Sequence, residues 1–87
     1  MKEVVLVVKH PAGLHARPAA KFVQMANKFG CEIQVTKSDK TVDAKSILGV
    51  LTLAVNQGTK IKVTARGEGE EEAIARIQDL IENDFAE

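Results

Sequence analysis

The sequence predicts an α+β domain, an antiparallel sheet with its helices on one face. Three observations lead there. Strand-like and helix-like stretches alternate in the order β-α-β-β-α-β-α. Only the second and third strands adjoin directly, so the order resolves into two split βαβ units. The 87 residues are 45% apolar with three Phe and no Trp or Tyr, enough for one small aliphatic core over residues 1–87.

Residues 4–8 are a β-branched run ended by Lys9-His10-Pro11, the pattern of a strand. Over 18–29, Ala19, Phe22, Val23, Ala26 and Phe29 recur at helical spacing, with Lys21, Gln24 and Lys28 facing outward. Pro18 suits a first turn, where no N–H is needed, and Gly30 suits the C-terminal cap. Residues 31–36 alternate strictly, as a half-buried strand does, with Cys31 a small core residue on it. Ser38-Asp39-Lys40 turns the chain into a short return strand, Thr41-Val42-Asp43.

Between 46 and 55 the periodicity is ambiguous. Ile47, Leu48, Leu51, Ala54 and Val55 fit one helical face with Ser46 as N-cap, while Gly49 and the β-branched residues leave a strand open. A short helix is the reading taken. Asn56-Gln57-Gly58 turns into a strand in which Ile61, Val63 and Ala65 alternate with Lys60, Lys62 and Thr64. After Gly67-Glu68-Gly69, an amphipathic helix runs from 70 to about 85 with Ala73, Ile74, Ile77, Leu80 and Ile81 inward. Its acidic run, Glu70-Glu71-Glu72, reads as a solvated first turn at the positive end of the helix dipole.

Charge and composition exclude several functions. Twelve basic residues balance twelve acidic ones, and no stacking aromatics are interleaved with basic residues, which argues against nucleic acid. Two histidines and one cysteine show no metal-ligand spacing, so no metal or cofactor is expected. No nucleophile elbow is present, and the Gly67-Glu68-Gly69 turn lacks the lysine of a phosphate-binding loop. The lone cysteine, the missing leader-like segment and the absence of a membrane-length apolar run lead to the expectation of a soluble cytoplasmic domain. His10 has no chemical company and reads as a loop residue.

The chemistry gathers in Pro11-Ala12-Gly13-Leu14-His15-Ala16-Arg17-Pro18. His15 stands at the start of a helix, where unpaired N–H groups and the dipole favour an anion, and Arg17 adds a fixed positive charge. That layout suits a histidine that accepts a phosphoryl group, although a lone histidine at a helix start is more commonly a capping or turn residue. Ser46 is sufficiently explained as an N-cap. A phosphate there would add about −1.5 to −2 charges where the dipole tolerates them, changing the surface without melting the helix. Leu14, Ala20, Ile47, Leu48 and Leu51 are either core or an exposed docking patch; the rarity of such patches favours core for most.

Gly13-Leu14-His15-Ala16-Arg17-Pro18-Ala19 together with Ala44-Lys45-Ser46-Ile47-Leu48-Gly49-Val50-Leu51 resembles HPr, the histidine-containing phosphocarrier family of the bacterial sugar phosphotransferase system. The resemblance covers the whole chain. It implies an open-faced β-sandwich, a four-stranded antiparallel sheet in the order 1-4-2-3 with three helices on one face. It implies a stoichiometric carrier rather than an enzyme. His15 would take a phosphoryl group on Nδ1 from phosphorylated Enzyme I and pass it to sugar-specific IIA domains, with Arg17 and backbone N–H groups holding the oxygens. Ser46 matches the serine modified by HPr kinase/phosphorylase, whose product serves some members as corepressor of a catabolite-control transcription factor. Leu14, Ala16, Ala20, Ile47, Leu48, Gly49 and Leu51 match the partner-docking positions, and the resemblance turns the reading of Ile47, Leu48 and Ala20 from core to docking. A monomer without direct nucleic-acid or membrane contact is expected. Ala12 replaces a frequent hydroxyl residue, so the anion site must rely on backbone and Arg17, and Leu48 and Leu51 replace common methionines. The presence of His15 separates the chain from the regulatory paralogue that has lost it. The alternative is a regulatory carrier of the nitrogen-related phosphotransferase branch.

Overall fold

Side chains on a strand alternate between its two faces, so a sheet buried on one side selects every second residue. In the computed structural model, which describes residues 1–85, β1 (Lys2–Val8), β2 (Glu32–Lys37), β3 (Lys40–Asp43) and β4 (Thr59–Arg66) form one antiparallel sheet in the order β1-β4-β2-β3. Leu6 pairs with Ile61, Val63 with both Val4 and Val35, and Ala65 with Ile33. Apart from half-buried Val4, these residues are buried, and they form the inner face. The other face carries Val5, Val7, Lys60 and Lys62 outward.

The inner face is covered by helices: α1 (Ala16–Ala26), α2 (Ile47–Thr52) and α3 (Glu70–Glu82). α3 packs on β1 and β4, and α1 lies against both α2 and α3. Phe22 is the largest fully buried side chain, with Leu14, Ile77 and Ile81 in the same core. The five inward residues expected on the last helix, Ala73, Ile74, Ile77, Leu80 and Ile81, are all buried.

The element order and sheet order match the expectation; several ends do not. α1 stops at Ala26 and is capped by Asn27 rather than Gly30, because the Asn27 amide donates to the Val23 carbonyl at 2.9 Å and the Lys45 carbonyl at 3.2 Å. The segment from 46 to 55 is helical only over six residues. Ala54 takes a left-handed φ of 55°, and the Lys37 ammonium takes up the freed carbonyls of Leu53 and Ala54 at 3.1 and 2.9 Å. Lys40 does the same for Thr52 at 3.2 Å. α3 ends at Glu82, three residues short of the expected end. Asp84 and Phe85 adopt positive φ, and the Phe85 N–H returns to the Leu80 carbonyl at 2.8 Å, which brings its ring into the core. Cys31 is buried but precedes β2 instead of lying on it.

The acidic first turn of α3 is more than solvated charge. Glu70 reaches back to accept the Gly67 N–H at 3.0 Å, and its other oxygen lies 3.1 Å from the Met1 amino group. These contacts, the Gly67 bond foremost, hold its carboxyl below the usual range. Among the described residues no helix is long and apolar enough to cross a membrane.

Candidate functional site

His15 is the N-cap of α1, in extended backbone with φ −129° and ψ 160°, and its side chain makes no capping bond. An extended residue sends its side chain opposite to its neighbour's. Leu14 accordingly enters the core at 0% exposure, while the His15 ring stays half-buried at the surface. Ala16, the next residue, holds a left-handed φ of 51°, a strained conformation for a side chain with a Cβ.

A second loop, after α2, locks this one in place. The Leu14 N–H donates to the Val55 carbonyl at 2.9 Å. Gly13, at φ 62°, lies so close to that loop that a Cβ there would meet the Val55 oxygen at 2.2 Å. Asn56 follows directly, fixed by Asn56 N–H to Thr59 Oγ1 at 3.2 Å and Thr59 N–H to the Asn56 carbonyl at 3.1 Å. Its Oδ1 lies 3.3 Å from His15 Nε2. A carbonyl oxygen only accepts, so this contact favours the tautomer with the proton on Nε2 and the lone pair on Nδ1. Sequence reasoning passed over Asn56 as a turn residue; the histidine lies 41 positions away. The one available signal was that it opens the Asn56-Gln57-Gly58 turn.

The donors around His15 divide clearly. Ala12 N–H is taken by His10 Nδ1 at 3.0 Å, Gly13 N–H by the His10 carbonyl at 2.9 Å, and Leu14 N–H by Val55. The first-turn donors with no partner inside α1 are those of Ala16 and Arg17, since Pro18 brings no N–H. Arg17 is exposed and makes no ion pair among the described residues. It lines a groove of about 410 Å³ with His10, Ala12, Lys21 and Phe85. His10 therefore has company: it accepts from Ala12, and its ring meets that of Phe85 edge-on at 5.8 Å.

Ser46 caps α2, its Oγ accepting the Gly49 N–H at 3.1 Å. It sits near the far end of α1 from His15. Asn27 and Phe29, at the C-terminal end of α1, bond Lys45, and eleven residues of helix span about 16 Å. Leu48 on α2 is 74% exposed, with Ile47 and Leu51 exposed beside it at about half that. Ala16 is exposed, whereas Ala20 and Gly49 are half-buried. Leu14 departs from the expected docking set: it is fully buried, because the extended backbone at His15 turns the two neighbouring side chains to opposite sides. Among the described residues no cluster of His, Cys, Asp and Glu could hold a metal ion.

The family model described as the PTS HPr component phosphorylation site matches residues 2–83. The chain is 44% identical over 87 residues to the phosphocarrier protein HPr of Xylella fastidiosa strain 9a5c, covering 100% of this chain and 98% of that one. It is 43% identical over 77 residues to the HPr-like protein Crh of Bacillus subtilis, covering 88% and 91%. Among solved structures, HPr-C-His from Thermoanaerobacter tengcongensis matches with a TM-score of 0.98 at 54% identity, over 100% of this chain and 98% of that one. An HPr dimer from the same organism matches at 0.80, again at 54% identity, over all of both chains. That dimer stands against the expectation of a monomer.

Proposed function

The chain belongs to the HPr phosphocarrier family, and on that premise we propose that, as one phosphocarrier domain over residues 1–87, it takes a phosphoryl group on His15 Nδ1 from phosphorylated Enzyme I. It then passes the group to sugar-specific IIA domains. The observation that carries this reading is the Asn56 contact, which leaves Nδ1 as the nucleophilic nitrogen of a ring at a helix start.

In the transfer, the Nδ1 lone pair forms the new N–P bond as the donor histidine's N–P bond breaks. That bonding pair leaves with the donor ring. His15 keeps its Nε2 proton against Asn56 and so acquires the positive charge that the donor imidazolium loses. The N–H groups of Ala16 and Arg17 and the Arg17 guanidinium receive the phosphoryl oxygens, a preorganised electrostatic site at the helix start. Alignment of the two rings by docking supplies most of the rate. The exposed Ile47, Leu48 and Leu51, with Ala16, form the apolar docking face, and Ala20 and Gly49 shape its floor. Ser46, at the edge of that face, is the regulatory position for an HPr kinase/phosphorylase and, through its phosphorylated form, for a catabolite-control transcription factor.

Incubation with Enzyme I and phosphoenolpyruvate is expected to give an acid-labile, base-stable adduct that His15→Ala abolishes. An adduct that survives in the mutant refutes the assignment. The similarity to the HPr-like protein Crh favours a second reading, a mainly regulatory protein. Its signature is phosphorylation at His15 with no onward transfer to sugar IIA domains.

A further inference from the structure

We propose that His10 is a positioning residue for the phosphoryl-accepting loop, a role that rests on the reading of His15 above. Two groups of the one residue shape the turn before the site: its carbonyl accepts the Gly13 N–H at 2.9 Å and its Nδ1 accepts the Ala12 N–H at 3.0 Å. The ring is itself held, edge-on against Phe85 with centroids 5.8 Å apart at 81°. Phe85 is a fixed support, since its side chain is buried, its N–H returns to Leu80 at 2.8 Å and its carbonyl accepts Lys21 Nζ at 2.7 Å. A continuous set of contacts thus runs from the end of α3 through the His10 ring to a backbone amide three residues before His15.

The hold depends on the ring being neutral. With Nδ1 accepting, the proton sits on Nε2; a protonated ring has no acceptor, and two N–H groups then face each other. The groups facing the same groove are Arg17 and Lys21 from α1 and Asp84 from the segment after α3. A small residue at position 12 carries no side chain to order the turn, and the ring of His10 does so from two residues away.

The test is phosphorylation by phospho-Enzyme I, beside amide exchange at Ala12. His10→Phe keeps a ring against Phe85 but removes the acceptor; loss of one loop-ordering bond is expected to slow transfer about tenfold. His10→Asn supplies an oxygen that accepts from the amide two residues on, as in an Asx turn, and is expected to restore the rate and Ala12 protection. Wild-type protein that takes no phosphoryl group at all overturns the function assigned to His15. Normal wild-type transfer with His10→Phe equally fast, with His10→Asn as slow as His10→Phe, or with Ala12 exchange indifferent to His10, overturns the role assigned to His10.

Discussion

Gly13→Ala is the sharpest perturbation of the seam between the two loops that build the site. The added methyl would stand 2.2 Å from the Val55 carbonyl oxygen and 2.9 Å from Asn56 Cα, both backbone atoms that no rotamer change can move. The left-handed φ of 62° alone costs an alanine about 1–2 kcal/mol. Relieving the clash pushes Val55 away and breaks its bond from Leu14, leaving a buried N–H unpaired at a cost of about 1–3 kcal/mol. The sum is about 3 kcal/mol, which in a domain of this size lowers Tm by about 12–24 °C. Gly58→Ala is the control: φ is 86° there, but nothing lies within 4 Å of the new methyl, so only the backbone term applies, about 4–16 °C. Thermal unfolding followed by circular dichroism reads both. A Gly13→Ala protein that melts no lower than Gly58→Ala would falsify the seam as a source of stability.

Leu14→Ala should cost about 2–5 kcal/mol in denaturant unfolding, as a core deletion does. Leu48→Ala, at 74% exposure, should leave stability within about 0.5 kcal/mol. It should nevertheless weaken binding to Enzyme I, and calorimetry showing unchanged affinity would remove Leu48 from the docking face. Ser46→Ala should lose a cap worth about 1 kcal/mol, whereas Ser46→Asp keeps an N-cap acceptor and near-normal Tm. Ser46→Asp should still slow transfer from Enzyme I, because a new charge borders the docking face; unchanged kinetics refute that. Glu70 has a folded-state pKa held below its unfolded value, so its stabilisation is full above the ordinary glutamate range and lost as pH falls through the lowered value. The Tm difference between wild type and Glu70→Gln should therefore be largest near neutrality and shrink in acid; a constant difference removes the linkage.

What could be read from the chain follows the range of the forces involved. α1 and α3 were legible because their burial faces repeat within each helix, and the strands because alternation is local. The ends of these elements were not, since tertiary partners set them. Asn27 stops α1 by bonding Lys45, and Lys37 and Lys40 take up the carbonyls that end α2. The motif around His15 was legible on the same local grounds, together with its resemblance to a family. Asn56 was not, because nothing in a turn 41 residues away announces a histidine contact. His10 was read as a bare loop residue because its partners are a backbone amide and a phenyl ring beyond the last helix.

Leu14 was named for docking only because it matches a docking position of the family the chain resembles, and its buried position explains the orientation of the histidine beside it. In extended backbone the two neighbours leave the chain on opposite sides, so burying Leu14 at 0% exposure forces the His15 ring outward. The Leu14 amide, tied to Val55, fixes the height of the loop, and the next residue of the second loop, Asn56, then meets Nε2. One buried leucine and one backbone bond thereby set the direction of the ring and bring Asn56 to its Nε2. The helix start contributes the anion site, but the nucleophile is presented by the two loops. It follows that substitutions in residues 54–57 should alter His15 chemistry without touching α1, while substitutions on the exposed face of α2 should alter docking alone.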